Sequence, residues 1–124
     1  MDITMLGTGN AMVTECYNTC FVLRDGDKHL LVDGGGGNTL LAQLKHAGFD
    51  WMDMREIFVT HKHVDHIMGV VWMIRMICQH MKQGQYEVRQ QFTDTKRSSA
   101  SSRKWQRCFI LRNRPATSET ACIW

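Results

Sequence analysis

Between positions 60 and 66 the chain reads Thr60-His61-Lys62-His63-Val64-Asp65-His66, with three histidines and one aspartate inside six positions. Imidazole nitrogen and carboxylate oxygen are the donors that zinc takes in catalytic sites, where three protein ligands leave a position open for water. The spacing restricts the backbone that can use them. On a helix, His61 and His63 point about 200° apart and cannot share an ion. In an extended segment, residues two apart project to the same side, so His61, His63 and Asp65 can converge. The cluster therefore belongs where a strand runs out into a loop, with His66 beginning the next helix. His61 with His63, and Asp65 with His66, form two adjacent ligand sets that suggest two ions about 3.5–4 Å apart.

The flanking sequence supplies elements to hold such a loop. Ile57-Phe58-Val59-Thr60 reads as the buried strand that delivers the cluster. From Ile67 to about Lys82 the pattern is helical and apolar on most sides; such a helix calls for burial, but this chain has too little around it to bury it fully. Upstream, Ile3-Thr4-Met5-Leu6 reads as a first strand stopped by Gly7-Thr8-Gly9, Thr19 to Arg24 as a second, and His29 to Asp33 as a third. Asp25-Gly26-Asp27 is a turn signal that joins the second and third into an antiparallel hairpin. Gly34 to Gly37 follow, then a helix with Asn38 at its cap, Leu40, Leu41, Leu44 and Ala47 at helical spacing, and Gly48 at its end. Strand, strand, strand, helix, strand, helix is the order of an α/β or α+β layered arrangement.

With these motifs in hand, the sequence resembles the metallo-β-lactamase superfamily, whose His-x-His-x-Asp-His signature is matched by His61, His63, Asp65 and His66. Ile3-Thr4-Met5-Leu6-Gly7-Thr8-Gly9, the strand ending in Asp33-Gly34-Gly35, and Phe58-Val59-Thr60-His61 resemble its ribonuclease Z-like branch. The resemblance covers roughly residues 1–82. It implies an α+β fold, the αββα sandwich of that superfamily, with metal ions at one edge of two sheets. It also implies zinc as cofactor, two ions in a complete member, held by His61 and His63 and by Asp65 and His66. Asp33 would support the site by hydrogen bonding, and Asp65 would handle a proton. The activity implied is hydrolysis of a phosphodiester, ester or amide, in RNA or in a small molecule.

The same resemblance exposes a shortfall. A complete member brings a third histidine, a bridging aspartate and a final histidine from the second half of the fold. After His66 this chain has only His80 and Asp94. At 124 residues it has room for the N-terminal half of the sandwich only. The expectation is a truncated hydrolase, weak or inactive alone. An uncovered half-sandwich would expose apolar surface, and pairing into a homo-oligomer is one way to cover it.

Composition divides the chain at residue 87. Residues 1–87 hold seven Lys/Arg against ten Asp/Glu, a net of −3, and residues 88–124 hold eight against two, a net of +6. All ten glycines and all nine methionines lie in the first segment. The expected organisation is therefore a half-domain over 1–87 and a basic, irregular, disordered tail over 88–124 that stands outside the fold. Trp105 among Arg103, Lys104 and Arg107 combines stacking with positive charge, the ingredients of a nucleic-acid contact. That tail supports a second reading, a non-catalytic metal-binding or interaction fragment.

Other signals are blander. Gly34 to Gly37 lacks the lysine and spacing of a nucleotide-binding loop, so close backbone approach is its expected purpose. Five cysteines at irregular spacing fit free thiols in a reducing cytoplasm. The longest apolar stretch, Ile67 to Ile74, is far short of the roughly 20 residues of a membrane span, and a cytoplasmic protein with no membrane partner is expected.

Overall fold

A computed structural model describes residues 1–85 and 91–94. Five strands form one mixed sheet in chain order: β1 (Asp2–Gly7), β2 (Cys20–Asp25), β3 (Lys28–Val32), β4 (Glu56–Val59) and β5 (Gln91–Asp94). The first two pairings are antiparallel and the last two parallel. Parallel neighbours need a crossover. The link from β3 to β4 carries helix α1 (Thr39–His46) and a 3-10 turn at Trp51–Asp53, and that from β4 to β5 carries helix α2 (Val64–Lys82).

The hairpin forms as the turn chemistry demands. Asp25 pairs with Lys28, leaving Gly26 and Asp27 as a two-residue loop. Gly26 alone of the two takes a positive φ, 59°, the type II′ pattern that matches strand twist. At the end of α1, Gly48 adopts φ 81° and donates its N–H to the Lys45 carbonyl, as a helix-ending glycine should. Asn38 stands at the N-cap position, but its side chain makes no capping hydrogen bond there.

Period-two alternation sends Leu6, Cys20, Val22, Leu31 and Ile57 to one face of the sheet, where they form a single core with Leu40 and Leu44 of α1 and Val70 and Met73 of α2. Both helices therefore cover the same face. On the other face Ile3 and Met5, 63% and 48% exposed, pair with Leu23 and Phe21 of β2.

Besides the missing Asn38 cap, the structure departs from the sequence expectation in two places. Gln91–Asp94, four residues that composition assigned to the tail, stand in the sheet parallel to β4. Their backbone finds partners on the open edge of β4, a long-range pairing that composition does not record; the rest of the tail lies outside the described residues. The second helix begins at Val64, so Asp65 belongs to its first turn rather than to an extended segment. Burial of that helix is one-sided, in line with the shortage of chain around it: Gly69, Val70, Met73 and Ile77 are buried, whereas Val64, Met68 and Trp72 remain exposed. No helix of the described residues is long and apolar enough to cross a membrane.

Candidate metal centre

The cluster lies where β4 ends and α2 starts. Thr60 to Lys62 continue beyond the strand, and His63, at φ −67° and ψ 147°, is the last extended residue before the helix. The extended backbone brings the His61 and His63 rings together, with His61 Nε2 3.1 Å from His63 Nδ1. Helical backbone then takes over. Val64, Asp65 and His66 form the first turn, with the His66 N–H donating to the His63 carbonyl. An acidic residue there is favoured by the positive end of the helix dipole. Within the turn, Asp65 Oδ2 stands 3.5 Å from His66 Nε2. The His61 and His66 rings lie 4.1 Å apart between centroids, so the two pairs are neighbours.

Asp33 organises the ground beneath them. It follows β3 with an unusual left-handed φ of 59° and is 3% exposed. Its Oδ1 accepts the Thr60 N–H at 2.8 Å, and its Oδ2 accepts the Thr60 hydroxyl at 2.7 Å. The same Oδ2 is 2.7 Å from His66 Nδ1. The Thr60 hydroxyl also lies 2.9 Å from His61 Nδ1. One buried carboxylate thus reaches the ligand-type residues of both pairs, His66 directly and His61 through Thr60.

Backbone contacts set the height of the helix over this carboxylate. Gly34 N–H donates to the His66 carbonyl at 2.7 Å and Gly69 N–H to the Gly35 carbonyl at 3.0 Å. The glycine run serves this approach: a Cβ at Gly34 would strike the Val70 backbone, and one at Gly36 the Asn18 side chain. Gly37 faces open space. Tyr17 clamps the run from outside. Its hydroxyl stands 2.8 Å from the Gly34 carbonyl and 2.7 Å from that of Gly37, and accepts the Gly37 N–H at 3.2 Å. Burial pushes the Tyr17 hydroxyl up to about 12, partly offset by its hydrogen bond with Gly37. Burial, with the nearby negative charge of Asp33 adding to it, lifts the Cys20 thiol likewise to about 12.

The sequence reading named His61, His63, Asp65, His66 and Asp33, and the fold brings all five together. It left out the parts played by Thr60, Tyr17 and Gly69. Gly69 was discoverable, since a glycine inside a helical pattern often marks close backbone approach. Nothing local marks Tyr17.

The donor set fits zinc in chemistry and spacing. Two ligands at zinc bond lengths and a tetrahedral angle stand about 3.3 Å apart. The His61–His63 and Asp65–His66 separations of 3.1 and 3.5 Å bracket that value. Among the described residues, no three histidine, cysteine, aspartate or glutamate side chains are grouped to hold one ion. The donors come together two by two.

The same layered arrangement occurs in known proteins. Human tRNase Z, short form, aligns over 76% of this chain and 44% of its own, with 25% identity and a TM-score of 0.55. The metallo-β-lactamase fold protein YhfI from Bacillus subtilis covers 76% of this chain and 46% of its own at a TM-score of 0.61; at 16% identity it speaks for the fold alone. Ribonuclease Z of Methanothermobacter thermautotrophicus is 38% identical over 76 residues, 60% of this chain and 24% of that relative. A mixed sheet with helices on one face and a His-x-His-x-Asp-His loop at a strand end is the amino-terminal part of a metallo-β-lactamase fold, ribonuclease Z-like in sequence. Within that superfamily the chain belongs to the family described as Anti-Pycsar protein Apyc1, which matches residues 1–94. It spans about a quarter of the length of the curated relatives it matches.

Proposed function

We propose that this chain carries the metal-binding half of a zinc-dependent phosphodiesterase of ribonuclease Z type. The observation that carries the reading is the pairing of donors at ligand separation: His61 Nε2 with His63 Nδ1, and Asp65 Oδ2 with His66 Nε2. His61 and His63 would hold one ion, and Asp65 and His66 a second. When bound, zinc supplies Lewis-acid polarisation and makes water nucleophilic near neutral pH. Asp33 orients His66 and, by way of Thr60, supports His61. Asp65, half-buried at the helix start, would exchange a proton at its carboxylate as well as bind. The name of the curated relatives points to RNA as the phosphodiester substrate. Free thiols at Cys16 and Cys20 suit work in a reducing cytoplasm.

The two-by-two grouping of donors favours one other reading, a zinc-binding fragment without turnover. Calorimetric zinc titration of the full chain, with hydrolysis of bis(p-nitrophenyl) phosphate followed in parallel, separates the two. Zinc uptake with turnover, both lost in the His61→Ala, His66→Ala double variant, supports the hydrolase. Saturable uptake without turnover supports the fragment. Zinc uptake that survives both substitutions overturns each reading.

A further inference from the structure

The hydrogen bonds around Asp33 contain more than support for a metal centre: they specify which ring nitrogen of each histidine carries a proton. An ionised carboxylate accepts only. At 2.7 Å from Asp33 Oδ2, the Thr60 hydroxyl must place its single proton toward that oxygen. It has no second proton for His61 Nδ1 at 2.9 Å, so there it accepts, and His61 must carry its proton on Nδ1. His66 Nδ1, also 2.7 Å from Asp33 Oδ2, must likewise donate. In the neutral ring a proton on Nδ1 leaves the lone pair on Nε2, the atom each ring turns toward its pair partner, His63 Nδ1 or Asp65 Oδ2.

From this network we infer that Thr60 is a positioning residue that sets the His61 tautomer and acts on the His61–His63 pair. Asp33 sets both pairs, one through the Thr60 hydroxyl and one by direct contact. The division follows from reach: Thr60 touches Asp33 and His61, while His66 is held by Asp33 without it. Removing the hydroxyl leaves the His61 Nδ1–H without its acceptor and frees the ring to exchange tautomers, while the Asp33–His66 bond remains. The consequence for zinc rests on the function proposed above; the tautomer assignment does not.

Nitrogen-15 NMR of the imidazoles in the metal-free full chain tests the assignment directly. His61 and His66 should both show the Nδ1–H form in the wild type, and finding His61 as the Nε2–H form overturns the inference before any variant is made. In Thr60→Val the His61 signal should move toward the Nε2–H form or a tautomer mixture while His66 stays unchanged. Thr60→Ser, which keeps the hydroxyl, should restore the wild-type pattern. Zinc titration supplies a second readout. Thr60→Val should weaken one of two sites by about 10- to 100-fold and leave the other within about twofold. Asp33→Asn should weaken both. Equal weakening of both sites by Thr60→Val overturns the division of labour. A wild type with the expected tautomers that takes up no zinc would sink the proposed function and leave the tautomer assignment standing.

Discussion

Gly69 of α2 rests against Gly34 with no room for a side chain between them: a Cβ at Gly69 would fall on the Gly34 carbonyl. This is where the helix carrying Asp65 and His66 meets the loop carrying Asp33. Backbone hydrogen bonds on either side, Gly34 to His66 and Gly69 to Gly35, lock the contact. The separation of carboxylate and histidine therefore depends on two residues that have no side chains.

Gly69→Ala should consequently destabilise the fold by about 1–3 kcal/mol, the usual cost of overpacking. In an open helix the same change would stabilise by up to about 1 kcal/mol. Gly37→Ala, facing empty space, should stay within about 0.5 kcal/mol of wild type. Urea unfolding of the two variants checks both; a stabilised Gly69→Ala chain means the helix does not sit this close.

Tyr17→Phe removes the hydroxyl that holds the Gly34 and Gly37 carbonyls. Leaving those part-buried groups without their partner should cost about 1–3 kcal/mol. Because the loop also carries Asp33, zinc affinity should fall with stability. A Tyr17→Phe chain with wild-type urea midpoint and wild-type zinc affinity would show that the clamp does nothing.

The raised Tyr17 hydroxyl and Cys20 thiol make the fold sensitive to alkali. Both groups are held neutral when folded and ionise more easily when unfolded, near 10.0 for tyrosine and 9.0 for cysteine. Their contribution is complete below pH 9.0 and is lost as pH rises toward about 12, where each ionises in the folded chain. The thermal midpoint should decline from pH 9 upward. In Tyr17→Phe the decline should be shallower above pH 10. A midpoint flat to pH 11 contradicts the burial of these groups.

Zinc bound to the folded chain alone must raise its stability. At a free concentration of 100 times Kd the gain is about 2.7 kcal/mol. For a domain of this size that is a rise of roughly 10–20 °C in the thermal midpoint. A chelator should reverse the rise, and a His61→Ala, His66→Ala double variant should show none. Differential scanning calorimetry with and without zinc decides the matter; an equal rise in the double variant places the ion elsewhere.

Ile3 and Met5 project from the sheet face that the helices leave uncovered. An apolar patch there favours self-association. Replacing both with threonine, which keeps strand propensity, should reduce oligomers in sedimentation velocity while shifting stability by about 0.5 kcal/mol or less per site. Unchanged association would mean that another surface joins the copies.

Much of this protein is legible along the chain because the relevant forces act over a few residues. The hairpin follows from Gly26 accepting a positive φ, the helix end from Gly48 doing the same, and the metal motif from four donor side chains crowded between positions 61 and 66. Alternation in β1 to β4 suffices to divide core from surface. Tertiary structure decided the rest. Asp33 lies 27 positions from Thr60 and 33 from His66, and only the docking of loop on helix brings its one carboxylate to both. Gln91–Asp94 joins the sheet because the edge of β4 offers unpaired backbone, a demand invisible in the composition of the strand that meets it. Asp65 looked extended by its spacing from His63, yet the helix starts one residue earlier and presents it from a first turn. Local patterns record what a segment can do; which partner it meets depends on contacts that close long loops and bury the groups between them.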